Sequence, residues 1–152
     1  MKRLHSLLIA VALLLHGYNY AQEPPHIGQH KERKPTLFAS LPDSFEVDRS
    51  QLQQLFTADV NSTVKIKLAD AFLIEGTIVD KVQNNAGSIS TNMRVSNYKN
   101  ALFNISLRLM ADNSTSMRGR ILHPRYRDLL ILYKVKDRYF IKKGSQELYM
   151  PE

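Results

Sequence analysis

The chain has 152 residues, with 21 Lys+Arg against 14 Asp+Glu and no cysteine. Without cysteine there is no disulfide framework, no zinc–thiolate site, no thiol catalysis and no acylation as a bacterial lipoprotein. A hydrophobic content of 43% excludes a disordered chain and fits a globular one.

Lys2 and Arg3 precede an apolar run from Leu7 to Leu15, and a polar stretch then leads to Ala21. A charged start, an apolar centre and a small-residue exit predict a secretory signal peptide over residues 1–21, with the mature chain beginning at Gln22. Nine apolar residues cross about half of a ~30 Å hydrocarbon core, so no transmembrane anchor is expected after cleavage. The expected location is exported, periplasmic or extracellular, as a soluble protein. Loss of Lys2 and Arg3 leaves 19 basic and 14 acidic residues, a net charge of about +5.

Residues 22–44 read as an extended or disordered tether. Pro24, Pro25, Pro35 and Pro42 punctuate a charged tract from His26 to Lys34 that has little to bury. His26 and His30 stand four apart with no third ligand, so no metal site is expected. Residues 45–152 are then expected to form one domain.

That domain opens on a short helix. Asp48 or Ser50 can cap it, and Leu52, Leu55 and Phe56 fall on one face at helical spacing. From Thr63 the period changes to two, with Val64, Ile66 and Leu68 alternating with Lys65 and Lys67. A second strand runs from Phe72 to Val82, where Gly76 marks a bend, a bulge or a close backbone approach. After the Asn84–Gly87 turn, Ile89, Thr91, Met93 and Val95 share one face of a third strand.

The fourth strand, Ala101–Leu109, has the cleanest alternation, with Phe103, Ile105 and Leu107 opposed by Asn104, Ser106 and Arg108. A polar loop over residues 112–116 precedes a strand from Met117 to His123, interrupted by Gly119 and ended by Pro124. Segments 128–135 and 139–143 read as a closing hairpin turned at Lys136-Asp137. About seven short strands at this spacing predict a mainly β fold, an antiparallel sandwich or open barrel with one short N-terminal helix. Short linkers favour a meander.

The catalytic inventory is thin. The chain carries no phosphate-cradling glycine loop, no zinc-protease helix motif and no nucleophile elbow. His123 stands beside Pro124, Arg125 and Arg127 without an identifiable nucleophile or orienting carboxylate. Glu75 and Asp80 stand at odd spacing and share a face only if a bulge intervenes. No enzyme activity and no cofactor are expected. The sequons at Asn61, Asn104 and Asn113 matter only in a eukaryotic secretory route, and the one at Asn104 lies within a strand.

One asymmetry stands out. Residues 118–143 carry nine basic and two acidic side chains, about +7, with Tyr126, Tyr133, Tyr139 and Phe140 interleaved. Strand edges use Lys and Arg against aggregation, and alternation alone turns Arg118 and Arg120 outward. A surface of this kind also attracts anionic polymers, lipid head groups or acidic proteins. The candidate binding surface is Arg118, Arg120, Arg125, Arg127, Lys134 and Lys136. Nucleic acid is an unlikely partner for an exported chain.

Two resemblances follow from these residues. The run Ala101–Ser106, Met117–His123 and Leu130–Lys143 resembles small exported bacterial proteins of uncharacterised function, in which a strand, an x-Gly-Arg-Ile strand and a terminal hairpin recur. The order of a helix like Val47–Leu55, a segment like Phe72–Val79, a Gly119-Arg-Ile121 strand and a Tyr-rich hairpin near Pro151 is similar to the prodomain-like N-terminal region of secreted zinc metallopeptidases. The chain stops where the protease domain of that family would begin and carries no zinc motif, so no functional residue transfers. The resemblance implies a stand-alone β module. The first functional expectation is therefore an exported non-catalytic binding or inhibitory module acting on a protein partner. A basic-surface binder of anionic envelope polymers or lipids is the alternative, and a small-ligand carrier is a third.

Overall fold

The structure, a computed structural model, describes residues 34–84 and 87–146. The segment expected as a signal peptide, with its expected cleavage site, His26, His30, most of the expected tether and Pro151 lie outside the described residues. Among the described residues, eight antiparallel strands and one α-helix make up the fold: β1 (Ser44–Val47), α1 (Arg49–Thr57), β2 (Thr63–Ala69), β3 (Phe72–Asn84), β4 (Ser88–Val95), β5 (Ala101–Leu109), β6 (Thr115–Leu122), β7 (Asp128–Val135) and β8 (Arg138–Ser145). A single 3-10 turn, Ser96–Tyr98, joins β4 to β5. The order across the sheet is β1-β8-β7-β6-β5-β4-β3-β2. Strands β2 to β8 form the expected meander, and β1 adds an eighth strand beside the last one. The architecture is thus one curled half-barrel sheet, which settles sandwich against open barrel.

Helix α1 starts where Asp48 takes up a free backbone donor. Its carboxylate accepts Ser50 N–H at 2.7 Å and the Ser50 hydroxyl at 2.8 Å. Those hydrogen bonds, the side-chain one first, hold the Asp48 carboxyl below the usual range. Leu52, Leu55 and Phe56 are buried along one face, as their spacing predicts. Nine residues make a marginal helix alone, so packing into the curl of the sheet is what holds it. The other end is closed by Lys81, whose ammonium donates to Phe56 O at 2.7 Å and Ala58 O at 2.8 Å. A cation there satisfies carbonyls that the helix leaves unpaired and complements its dipole.

A bulge places that lysine. The β3–β4 register shifts between Ile78 and Asp80. One extra residue, Val79, reverses the parity of everything after it. Lys81 therefore pairs with Thr91 on the inner face instead of pointing outward. Gly76, the sequence's other irregularity, is a close approach: a Cβ there would overlap Arg94 O in the neighbouring strand. The bend expected at one position is thus divided between two.

Apart from Lys81 and Thr91, the centre of the inner face is apolar. Ile66, Leu68, Ile74, Ile78, Met93, Phe103, Ile105, Ile121, Leu130, Leu132 and Ile141 are all nearly inaccessible and join the helix residues in one core. Each large aliphatic side chain enclosed there contributes about 1.5–3 kcal/mol. Gly119 is required because Phe103 and the Asn104 carbonyl occupy the space of its missing Cβ. Beyond Gly119 the ladder opens. Only Gly119–Leu122 pair with β7, and the buried Tyr139 hydroxyl accepts Met117 N–H at 3.1 Å. A phenol thus replaces a missing ladder partner, which a buried amide requires.

The stretch 36–43, expected as the end of the tether, lies against the sheet. Asp128 accepts Leu37 N–H and Phe38 N–H, each at 2.7 Å, while Pro35 O accepts Arg127 N–H at 3.0 Å. Phe38 is fully buried and meets Tyr98, which in turn meets Phe72. Composition hid this because a single buried aromatic among prolines and charges leaves no period to read. Burial raises the Tyr98 phenol pKa. Just past β1, Asp48 N–H donates to Leu68 O at 3.0 Å, so the two edges of the sheet touch at one backbone bond.

Candidate functional site

The outer face of the same strands is mixed, with polar side chains concentrated across its centre. One row across the sheet reads Asp80, Asn92, Asn104, Arg120, Ile131 and Lys142 in register. Asn104 Nδ2 donates to Asn92 Oδ1 at 2.7 Å, and Asn92 Nδ2 donates to Asp80 Oδ2 at 3.4 Å. The next row places Val82, Ser90, Ser106 and Arg118 together, with the two serine hydroxyls 2.9 Å apart. A third sets Arg108 opposite Ser116, and a fourth sets Arg94 opposite Leu102. Cross-strand pairing of Asn with Asn and Ser with Ser fixes this surface laterally, in the way that such pairs stabilise sheets.

Two shallow depressions lie on it. One, of about 240 Å3, is lined by Asn104, Ser106, Arg118, Gly119, Arg120, Leu129 and Ile131. The other, of about 260 Å3, is lined by Ser106, Arg108, Met110, Ser116 and Arg118. They share Ser106 and Arg118, so they adjoin. Arg94, Arg108, Arg118 and Arg120 are exposed and take part in no ion pair among the described residues. Other outward cations are engaged. Lys65 meets Glu75 at 3.4 Å, Lys67 meets Asp70 at 2.8 Å, and Arg138 makes a two-pronged pair with Glu46. Farther along the sheet, Lys142 lies over the Tyr133 ring and Arg138 over Phe140.

The six basic residues expected as one surface are not brought together. Arg118 and Arg120 stand side by side on the outer face of β6. Arg125 and Arg127 lie in the β6–β7 turn, at the opposite end of β7 from Lys134 and Lys136. Lys134 pairs across to Tyr139 on inner-face parity and reaches Asp137 at 3.6 Å, and Lys136 occupies the β7–β8 turn with φ 54°. Sequence reasoning missed Arg94 and Arg108, because only the densest basic stretch was considered. Their parity was readable: each sits between apolar inward positions of a clean strand.

Other candidates resolve into structure. His123 accepts Arg125 N–H on Nδ1 at 3.1 Å and stands edge-on to Tyr126, so it shapes the turn. Glu75 and Asp80 do share the outer face through the Val79 bulge. At a rise of ~3.3 Å per residue they are about 13 Å apart, wider than a glycosidase carboxylate pair. A cleft of about 740 Å3 beside Arg127 is lined by Asp128 and Lys143, but both are engaged. Asp128 holds the 37–38 backbone, and Lys143 reaches Asp43 at 3.5 Å and Ala39 O at 3.2 Å. No group of His, Asp and Glu among the described residues is arranged to hold a metal. No helix among them is long and apolar enough to cross a membrane. Comparison with known proteins gave no match to a family model, a curated protein or a solved structure.

Proposed function

We propose that this is an exported binding module that holds an anionic component of the cell envelope against the outer face of its sheet. The carrying observation is the cluster of Arg108, Arg118 and Arg120 on β5 and β6, with Arg94 farther along the same face on β4, all without ion-pair partners among the described residues. Like charges this close repel, and an anionic ligand laid over them removes that repulsion. Guanidinium groups suit the task because their planar forks match carboxylate and phosphate oxygens.

The other expectations draw less support. Chain side chains and α1 fill the inner face, so the fold supplies no argument for small-ligand carriage. Strand addition by a protein partner at β2 would meet Lys65 and Lys67, the charges that blunt edges.

The test is retention of the purified chain on a dextran sulfate matrix across a sodium chloride gradient. Arg118→Glu/Arg120→Glu should elute at markedly lower salt than wild type. Arg125→Glu/Arg127→Glu changes net charge equally but leaves the outer face intact, and should elute close to wild type. Equal loss in both double variants would reduce the effect to net charge and end the proposal.

A further inference from the structure

Within that face the β5–β6 register creates a more specific arrangement. Ser106 lies opposite Arg118, and Arg108 lies opposite Ser116. The two arginines therefore stand on one diagonal of a square and the two serines on the other. Directly opposed Cβ atoms in such a pair stand roughly 4.5–5.5 Å apart and diagonal ones about 7–8 Å. All four side chains line the same depression of about 260 Å3, with Met110 at its rim.

We infer that Ser106, Arg108, Ser116 and Arg118 form a site for a phosphoryl group. This deepens the anionic-face reading and rests on it. A carboxylate offers two oxygens in one plane, and a single guanidinium satisfies it. Two guanidinium groups and two hydroxyl groups around one point instead match an anion with three or four oxygens and more than one negative charge. Charge-assisted bonds from both arginines neutralise it, while the serines add donors without adding repulsion.

A further contact orients one of those donors. Ser90 Oγ and Ser106 Oγ are 2.9 Å apart. When Ser90 donates, the Ser106 proton is free to turn towards the ligand. One lining residue is apolar: Met110, just past the end of β5, is 45% exposed. An exposed apolar side chain beside a phosphoryl site suits a phosphoester that carries an apolar group. Free phosphate and a lipid head group present the same chemistry to the four side chains.

Titration of the purified full chain with inorganic phosphate, followed by NMR of the arginine Nε–Hε signals, tests this site. Saturable shifts confined to Arg108 and Arg118 are expected, with no comparable shifts from acetate at equal concentration. Arg118→Lys should weaken phosphate binding about tenfold by losing the fork. Ser116→Ala should weaken it several-fold, and neither substitution, at an exposed and a half-buried outer-face position, should move the melting temperature appreciably. Equal shifts from acetate, or equal shifts at Arg94 and Arg120, would overturn the site.

Vesicle binding separates the sources. Phosphate-competed binding to phosphatidylglycerol vesicles, lost in Arg108→Gln/Arg118→Gln, upholds the site and assigns it to a lipid head group. Phosphate binding without vesicle binding upholds it for a free phosphate or soluble phosphoester. If phosphate fails to bind while salt-dependent, Arg118-dependent retention on dextran sulfate persists, the phosphoryl site is wrong and the broader reading stands. If that retention also fails, both fall.

Discussion

Along β5 the inner positions Ala101, Phe103 and Ile105 are buried, whereas the outer positions Leu102, Asn104, Ser106 and Arg108 range from half-buried to exposed. The same division holds on β6, where Met117 and Ile121 face the core and Arg118 and Arg120 face away. Two adjacent residues on one strand thus serve opposite ends. Inner side chains exchange water for close packing, and their replacement disturbs the whole fold. Outer side chains stay hydrated, so their replacement alters the surface and leaves packing intact. Arginines kept on that outer surface without ion pairs contribute little to folding.

Substitutions on each face can break this comparison. The largest effect is expected for Gly76→Ala, whose new Cβ would collide with Arg94 O and force β3 from β4. Its cost should exceed the ~1–3 kcal/mol usual for overpacking, read as the fall in urea midpoint. Leu55→Ala comes next, at about 2–5 kcal/mol, because the fully buried side chain leaves a cavity between helix and sheet. The folded fraction of that variant should keep wild-type retention on dextran sulfate.

Arg120→Glu should shift stability by no more than about 0.5 kcal/mol while lowering the eluting salt concentration. A loss of stability comparable to Leu55→Ala would erase the distinction between the faces. The smallest effect concerns acid. The Arg138 side-chain hydrogen bond holds the Glu46 carboxyl below its ordinary value of 4.5. The unfolded chain therefore binds the proton first as pH falls. The pair's contribution is fully present above pH 4.5 and is lost as pH drops through the lower folded value. Glu46→Gln should flatten the acid limb of a melting-temperature profile slightly, as befits an exposed pair.

Strands β2 to β8 were legible because each runs for seven or more residues, several with clean alternation, and most are joined by short turns. Strand β1 was not. Four residues, Ser44-Phe-Glu-Val47, hold too few alternations, and their partner is β8 at the far end of the chain. Sandwich and barrel stayed open because curvature depends on twist and on where bulges fall. The Val79 bulge likewise hid Lys81, which an unbroken strand would turn outward. At the candidate site, Arg118 and Arg120 were legible from composition and parity together. Arg108 required the β5–β6 register, and the hairpin loop between those strands does not announce a register.

The union of β1 with β8 has a temporal consequence. Every other ladder joins strands that are consecutive in the chain, and such hairpins assemble within about 1–10 μs. Val47 must find Tyr139, and Glu46 must find Arg138 across a separation of 92 residues. The entropy of closing so long a loop is recovered only when the seven-stranded meander already offers the β8 edge as a template. Of the described strands, the one synthesised first is thus expected to dock last, and until it does, β8 would present an unpaired edge to neighbouring chains.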